Sequence, residues 1–352
     1  MSAETTPFPS PSERRAILAL SLVGDIGPVS HRQLLERFGS AARAIDVTVE
    51  AQAARGAYAA ADDQIARAET ARLELTTIGD AHYPEQLRHL TGPPPVLWSR
   101  GDWATLRGPI VSIVGTRRAT SYGLRVTREI ASALARQGAC IVSGMALGVD
   151  AAAHQAALAA GGGTVAVLGT GGDIAYPRAH AALHREIAQR GLILSELPPG
   201  ERADPGSFPR RNRIIAALAQ LTIVVEAPLK SGALITSKDA LELGRDVAAI
   251  PGPIDAPQSV GTNNLLREGA HVITSSADAL ALVGLTPPVR VEPELRGDAE
   301  NLVWRALDDA ASSLDELCAR TAMPVAECLA VVTALEVRGI VECALTGAVR
   351  RR

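Results

Sequence analysis

Two lysines and a scatter of arginines are the residues of this chain best suited to hold an anion. Lys230 and Lys238 are the only lysines among 352 residues, and both lie in L-T-I-V-V-E-A-P-L-K-S-G-A-L-I-T-S-K-D. The apolar, β-branched run from Leu221 to Val225 reads as a strand. Ser231-Gly232 then opens a segment with helical spacing. A strand that ends at a Ser/Gly-started helix presents free backbone N–H groups and the positive end of a helix dipole, which suits a phosphate. Ammonium groups beside that helix start strengthen the case. Arginine repeats the signal. No carboxylate occurs between Asp102 and Glu129, a span that holds five arginines, and none between Asp204 and Glu226, which holds Arg210, Arg211 and Arg213. Arginines cleared of carboxylates are open to bidentate phosphate contacts. Arg125 and Arg128 fit a solvated helix face, whereas Arg117 and Arg213 sit in stretches punctuated by Gly and Asn.

Several chemistries lack their residues. There is no G-x-x-x-x-G-K-[ST] loop, and the first strand-to-helix turn, G-T-R-R-A-T, is not G-x-G-x-x-G. The four cysteines, Cys140, Cys318, Cys328 and Cys343, form no C-x-x-C pair and have no histidine at ligand spacing. Reduced structural thiols, no metal and no cofactor are therefore expected. A net charge of −3 excludes a uniformly basic surface, so a nucleic acid would need a local basic pocket. Mean hydropathy is +0.12, no apolar stretch approaches the ~20 residues of a membrane span, and Met1 to Pro11 carries no export pattern. The expected location is the cytoplasm, with no membrane partner.

The elements that must position these residues alternate. From Pro109 onward, strands are predicted at Ile110–Val114, Cys140–Ser143, Val165–Leu168, Leu192–Ser195, Leu221–Val225 and Val247–Ile250, with a last one at His271–Thr274. Continuous apolar strands separated by helices predict a doubly wound α/β domain with a parallel sheet over 79–285. Its opening segment, Asp80 to Trp103, reads as linker-like. Residues 1–78 read as a small helical domain of SAM or helix-hairpin-helix type, with L-V-G-D-I-G-P at Leu22–Pro28 as either a phosphate-approaching hairpin or a plain tight turn. Residues 286–297 read as a Pro-rich linker and 298–352 as a winged-helix-like domain. In such sheets ligands bind beyond the carboxyl ends of the strands.

The succession G-T-R-R-A-T-S-Y-G, S-G-M-A-L-G-V-D-A-A-A-H, G-x-D-x-x-Y-P, F-P-R-R-N-R-I-I-A, V-V-E-A-P-L-K-S-G-A-L-I-T and G-T-N-N-L-L-R-E-G-A resembles the DNA-processing protein DprA (Smf) family. The likeness is dense and in order from about Asp80 to Thr274. Thr120 stands where that family often has Ser, and Ala217-Leu218-Ala219 replaces a common Gly-Leu-Ser. The resemblance implies an extended Rossmann-like domain that binds single-stranded DNA and pairs into a homodimer. It also implies protection of incoming strands and loading of the RecA recombinase onto them in natural transformation.

By matching position, Arg117, Arg211, Arg213 and Lys230 are expected to contact phosphates, with Gly115, Arg118 and Lys238 beside them. Ser143, Gly144, Ser231 and Gly232 would supply hydroxyls and amides at helix starts. Asn212 and Asn263 read either as loop-fixing residues or as DNA contacts. Phe208, Tyr122 and Tyr176 could stack on bases, although aromatics make up only 3% of the chain. Asp150 and His154, one helical turn apart, read as a structural pair rather than acid/base machinery. The C-terminal helix near Val325–Val337 has no Lys or Arg, so it reads as structural or as a protein contact, with Arg350 to Arg352 as a weak phosphate contact. The competing function is a Rossmann-like enzyme of the nucleoside monophosphate phosphoribohydrolase kind. That class is similar around a P-G-G-x-G-T-x-x-E motif, which this chain lacks, and no catalytic residue is expected.

Overall fold

The computed structural model describes residues 9–286, 293–307, 312–344 and 347–351. It forms two units divided between Pro287 and Pro288. Residues 287–292 of the expected linker 286–297, and Arg352, lie outside the described residues.

The first unit is built on nine strands: β1 Glu74–Thr77, β2 Val96–Gly101, β3 Ile110–Val114, β4 Cys140–Ser143, β5 Thr164–Leu168, β6 Leu192–Ser195, β7 Leu221–Val224, β8 Asp246–Ala249 and β9 His271–Val272. Their order is β1-β2-β6-β5-β4-β3-β7-β8-β9. All neighbours from β6 across to β9 run parallel, and those interior strands are apolar because helices cover both faces. The doubly wound α/β architecture is as the alternating pattern predicts.

Two strands depart from that reading. Glu74–Thr77 and Val96–Gly101, read as the end of the helical domain and as linker, form an antiparallel edge, with Leu75 opposite Trp98 and Trp98 opposite Ser195. Polar Glu74, Thr76, Thr77, Ser99 and Arg100 hid them from an apolar pattern. The alternation of β2 explains its sequence. Leu97 points into the sheet's core, while Val96 and Trp98 join Ile17, Leu18, Ile45 and Ala61 in the core of the N-terminal helices. Trp98 thus fastens the helical bundle (Pro11–Ser21, Pro28–Phe38, Ala41–Thr48 and Ala51–Ala71) to the sheet.

The chain steps from β3 outward to β6, then returns to the other side of β3 and continues through β7, β8 and β9. The sheet therefore has its switch point between β3 and β7. There the buried Ser112 hydroxyl donates to Thr222 Oγ1 at 2.8 Å, stitching the two strands together. In the second unit, helices Gly297–Ala306, Leu314–Thr321 and Val325–Val337 pack on a ribbon of β10 Ser312–Ser313, β11 Val341–Cys343 and β12 Ala348–Arg351. Val303, Leu317, Cys328, Val332, Leu335 and Val349 form its core.

Candidate nucleic-acid interface at the switch point

A recess of about 390 Å³ opens beyond the carboxyl ends of β3 and β7. One wall is Gly115 to Arg118, the other Pro228 to Thr236, and its floor holds Arg211 and Asn212. A crevice at a switch point is where open α/β sheets bind ligands.

The first wall is fixed by backbone geometry. A Cβ on Gly115 would lie 2.5 Å from Val149 Cγ2 and 3.0 Å from the Glu226 carbonyl, so only glycine fits. Thr116 N donates to Glu226 O at 2.7 Å, and Arg118 N to Thr116 Oγ1 at 3.2 Å. This leaves the Arg117 and Arg118 side chains exposed. Arg117 lies over the Phe208 ring at 5.3 Å, and Phe208 packs against Tyr176 at 5.4 Å. Cation and aromatic face thus share one edge of the recess.

On the second wall, the Ser231 hydroxyl caps the helix Gly232–Glu242 by accepting from Ala233 N at 3.3 Å. A Cβ on Gly232 would meet only open space, so the helix start is unobstructed. Lys230 is exposed beside it. Among the described residues, no carboxylate lies within 4 Å of Arg117, Arg118 or Lys230. Asn212 Nδ2 donates to Gly232 O at 3.3 Å, tying helix Ser207–Leu218 to this wall.

The floor is a buried arginine. Arg211 Nη1 donates to the Val167 carbonyl at 2.7 Å, its Nε has no partner among the described residues, and burial lowers its pKa to about 10, still far above neutrality. Asp150 opposes that fall. Asp150 accepts from Gly144 N at 3.1 Å and Ala146 N at 3.3 Å, while burial pushes its carboxyl upward.

Several sequence expectations are corrected by this geometry. Arg213 is helical, not in a loop, and is not cleared of carboxylates. Its Nη2 meets Glu196 Oε1 at 2.6 Å and its Nη1 donates to Gly92 O at 2.6 Å, away from the recess. Ser143 and Gly144 are buried with their groups already spent, the Ser143 hydroxyl on Ile113 O at 2.7 Å and the Gly144 amide on Asp150. Lys238 is exposed and 3.6 Å from Glu242, outside the recess lining. Asp150 and His154 do not bond to each other. Thr164 Oγ1 donates to Ile141 O, so His154 Nδ1 donates to Thr164 at 2.7 Å and its Nε2 is left buried without a partner. Asn263 fixes its loop through Gly252 N and O at 3.2 and 3.0 Å. Tyr122 is tied to Pro251 O at 3.2 Å.

Sequence reading missed Glu226. Its carboxylate accepts from Thr120 N at 2.9 Å and Thr120 Oγ1 at 2.5 Å, at the start of helix Ser121–Arg136. A Cβ on Gly123 would strike it at 2.4 Å. The E-A-P-L-K order gave no hint, because its partner lies 106 residues away.

Residues 74–284 match the family described as DNA recombination-mediator protein A. The chain belongs to this family. Residues 286–344 match the DprA winged helix domain and 11–71 the DprA-like N-terminal HHH domain. Protein Smf of Synechocystis is 38% identical over 308 residues, covering 76% of this chain and 77% of its own. The DNA processing protein DprA of Streptococcus pneumoniae is 42% identical over 224 residues, 64% of this chain and 79% of its own. The X-ray structure of the Streptococcus pneumoniae protein superposes with a TM-score of 0.69 at 36% identity, covering 76% of this chain and 97% of that one. A Helicobacter pylori DNA processing protein A, solved to explain its single-stranded DNA binding mode, gives a TM-score of 0.55 at 36% identity, covering 60% and 96%. Like these relatives, the chain is a DNA-processing recombination-mediator protein. No single described helix is long and apolar enough to cross a membrane.

Proposed function

We propose that this chain grips single-stranded DNA by its phosphates in the switch-point recess. In this reading Arg117, Arg118 and Lys230 are the ionic contacts, and the Gly232 amide adds an uncharged one, the Ser231 amide being held by Pro228 O at 3.0 Å. One observation carries it: three exposed cations without carboxylate neighbours line a single recess that also holds a helix start and the Phe208 face. A flexible strand can press its backbone into such a recess and lay a base on an aromatic ring, which a stacked duplex cannot do without unpairing. The Helicobacter pylori relative supports the same ligand.

From that grip follows the wider role. The protein protects incoming strands and loads a RecA-type recombinase onto them, working in the cytoplasm as a homodimer paired through the Rossmann-like domain. It catalyses no reaction in this reading. Glu226, the carboxylate just past β7, has both oxygens committed to Thr120 and so is poorly placed to attack a glycosidic bond.

The test is fluorescence anisotropy with an oligothymidine and with a blunt duplex at two salt concentrations. With ~3–5 phosphates neutralised, the log–log salt slope for the single strand is expected at about −2 to −3.5, and the duplex should bind far more weakly. A flat salt response, or equal affinity for both, would sink the reading. Recombinase ATPase on strands covered by single-strand-binding protein tests the loading step separately.

A further inference from the structure

Helix Val325–Val337 is apolar almost all round, with only Glu327, Thr333 and Glu336 polar. A helix of that composition belongs between two packed surfaces. One is present: Cys328, Val332 and Leu335 are buried in the winged unit's core. Among the described residues nothing covers the opposite face, with Leu329 51% and Val337 83% exposed, and it borders a groove of about 750 Å³.

The pattern on that face names its occupant. Two rows run along it at i, i+4 spacing: Ala326, Ala330 and Ala334 form a small row, and Leu329, Thr333 and Val337 a larger one. Glu327 flanks the alanine row near the helix start. Arg296 and Arg338 line the groove at the other end. Residue 338 falls on the same side of the helix as residue 327, three turns on. A twofold axis that sets two copies antiparallel brings equal edges together. Alanines then meet alanines, so the backbones approach closely. The larger rows close the contact, and each Glu327 reaches the exposed Arg296 of its partner, since Arg338 is already paired with Glu300 of its own copy at 2.7 Å. Duplex DNA does not fit, because the helix itself carries no cation and Arg338 at its end is already paired with Glu300.

We propose that this face is a self-association surface, paired with the same face of a second copy of the chain. It is independent of the switch-point recess and of the pairing through the sheet domain. Ala330 sits at the middle of the alanine row, so it lies beside its own copy across the axis.

The experiment uses the full chain in light scattering over a concentration series, wild type against Leu329→Glu and Ala330→Arg. Both positions are exposed, so thermal melts of dilute protein, below the range of association, should stay at the wild-type midpoint. Wild type is expected to have at least twice the mass of either variant at high concentration. Ala330→Cys, treated with diamide, is expected to form a disulfide between copies. Two thiols lose two electrons and two protons, and the diazene is reduced to the hydrazine. Arg305→Cys, outside the groove, should not crosslink. Unchanged mass in both variants, or no Ala330→Cys crosslink, overturns the proposal and leaves the face to a different protein.

Discussion

The guanidinium of Arg211 fills the space that Gly144 leaves empty: a Cβ on Gly144 would lie 1.7 Å from Arg211 Nη1. The glycine at the end of β4 therefore serves the arginine at the floor of the recess. Both must move together if either changes.

Gly144→Ala is accordingly expected to push Arg211 off the Val167 carbonyl. Overpacking of a well-filled interior costs ~1–3 kcal/mol, with a further loss if the displaced guanidinium is left unpaired. Chemical denaturation of the variant measures this. A midpoint equal to wild type would show that the side chain can step aside without cost.

For the recess cations, Arg117→Ala and Lys230→Ala should each weaken single-strand binding ~10- to 100-fold, the worth of a charge-assisted contact. Each should also make the salt slope shallower by ~0.7. Lys238→Ala, Arg125→Ala and Arg128→Ala should do much less, since Lys238 and Arg125 face their own i+4 carboxylates and none of the three lines the recess. Equal losses at all five positions would describe a diffuse basic surface and dismiss the recess.

Arg213→Ala is expected to lower stability more than it alters the salt slope. The substitution strips Glu196, whose Oε2 is already buried without a partner, and frees the Gly92 carbonyl. Breaking a largely buried pair costs ~3–5 kcal/mol, and partial exposure at this site brings the expected figure to ~1–3. Urea unfolding and a salt titration on the same sample separate the two effects. A variant of native stability with a shallower slope would return Arg213 to the DNA path.

Acid should destabilise the fold through His154. Burial holds its pKa down to about 3, against about 6.5 in an unfolded chain. The unfolded state binds the extra proton between these values. The contribution is therefore complete above ~6.5 and is lost as pH falls from there toward ~3, at up to ~1.4 kcal/mol per pH unit for one group. His31 and His184, also lowered by burial, act with the same sign. His154→Gln should remove about one proton from the slope between pH 6 and 4. An unchanged slope would place the titration elsewhere.

The interior of the fold was legible because strands covered on both faces are written in unbroken apolar runs, as in Ile110–Val114 and Leu221–Val224. That Arg117 and Lys230 stand exposed just past strand ends was legible for a related reason: a cation at a strand end has few structural duties to perform. β1 and β2 were not, since an edge strand with polar residues on one face looks like loop. Nor could spacing reveal the duties of Arg213, Glu226 or Ser143. Arg213 meets Glu196 17 residues back and Glu226 meets Thr120 106 residues back, and only the fold brings such pairs together. For Asp150 and His154, helical spacing suggested a partnership. The buried Gly144 amide and the Thr164 hydroxyl each offered a better bond.

The stitch between Ser112 and Thr222 joins segments 110 residues apart, and the two walls of the recess hang from the strands it joins. During synthesis, the arginine wall leaves the ribosome long before the lysine wall exists. A chain that stops short of Leu221 contains the arginine wall and β3 to β6 but lacks the second wall of the recess. The recess is complete only when β7 pairs with β3.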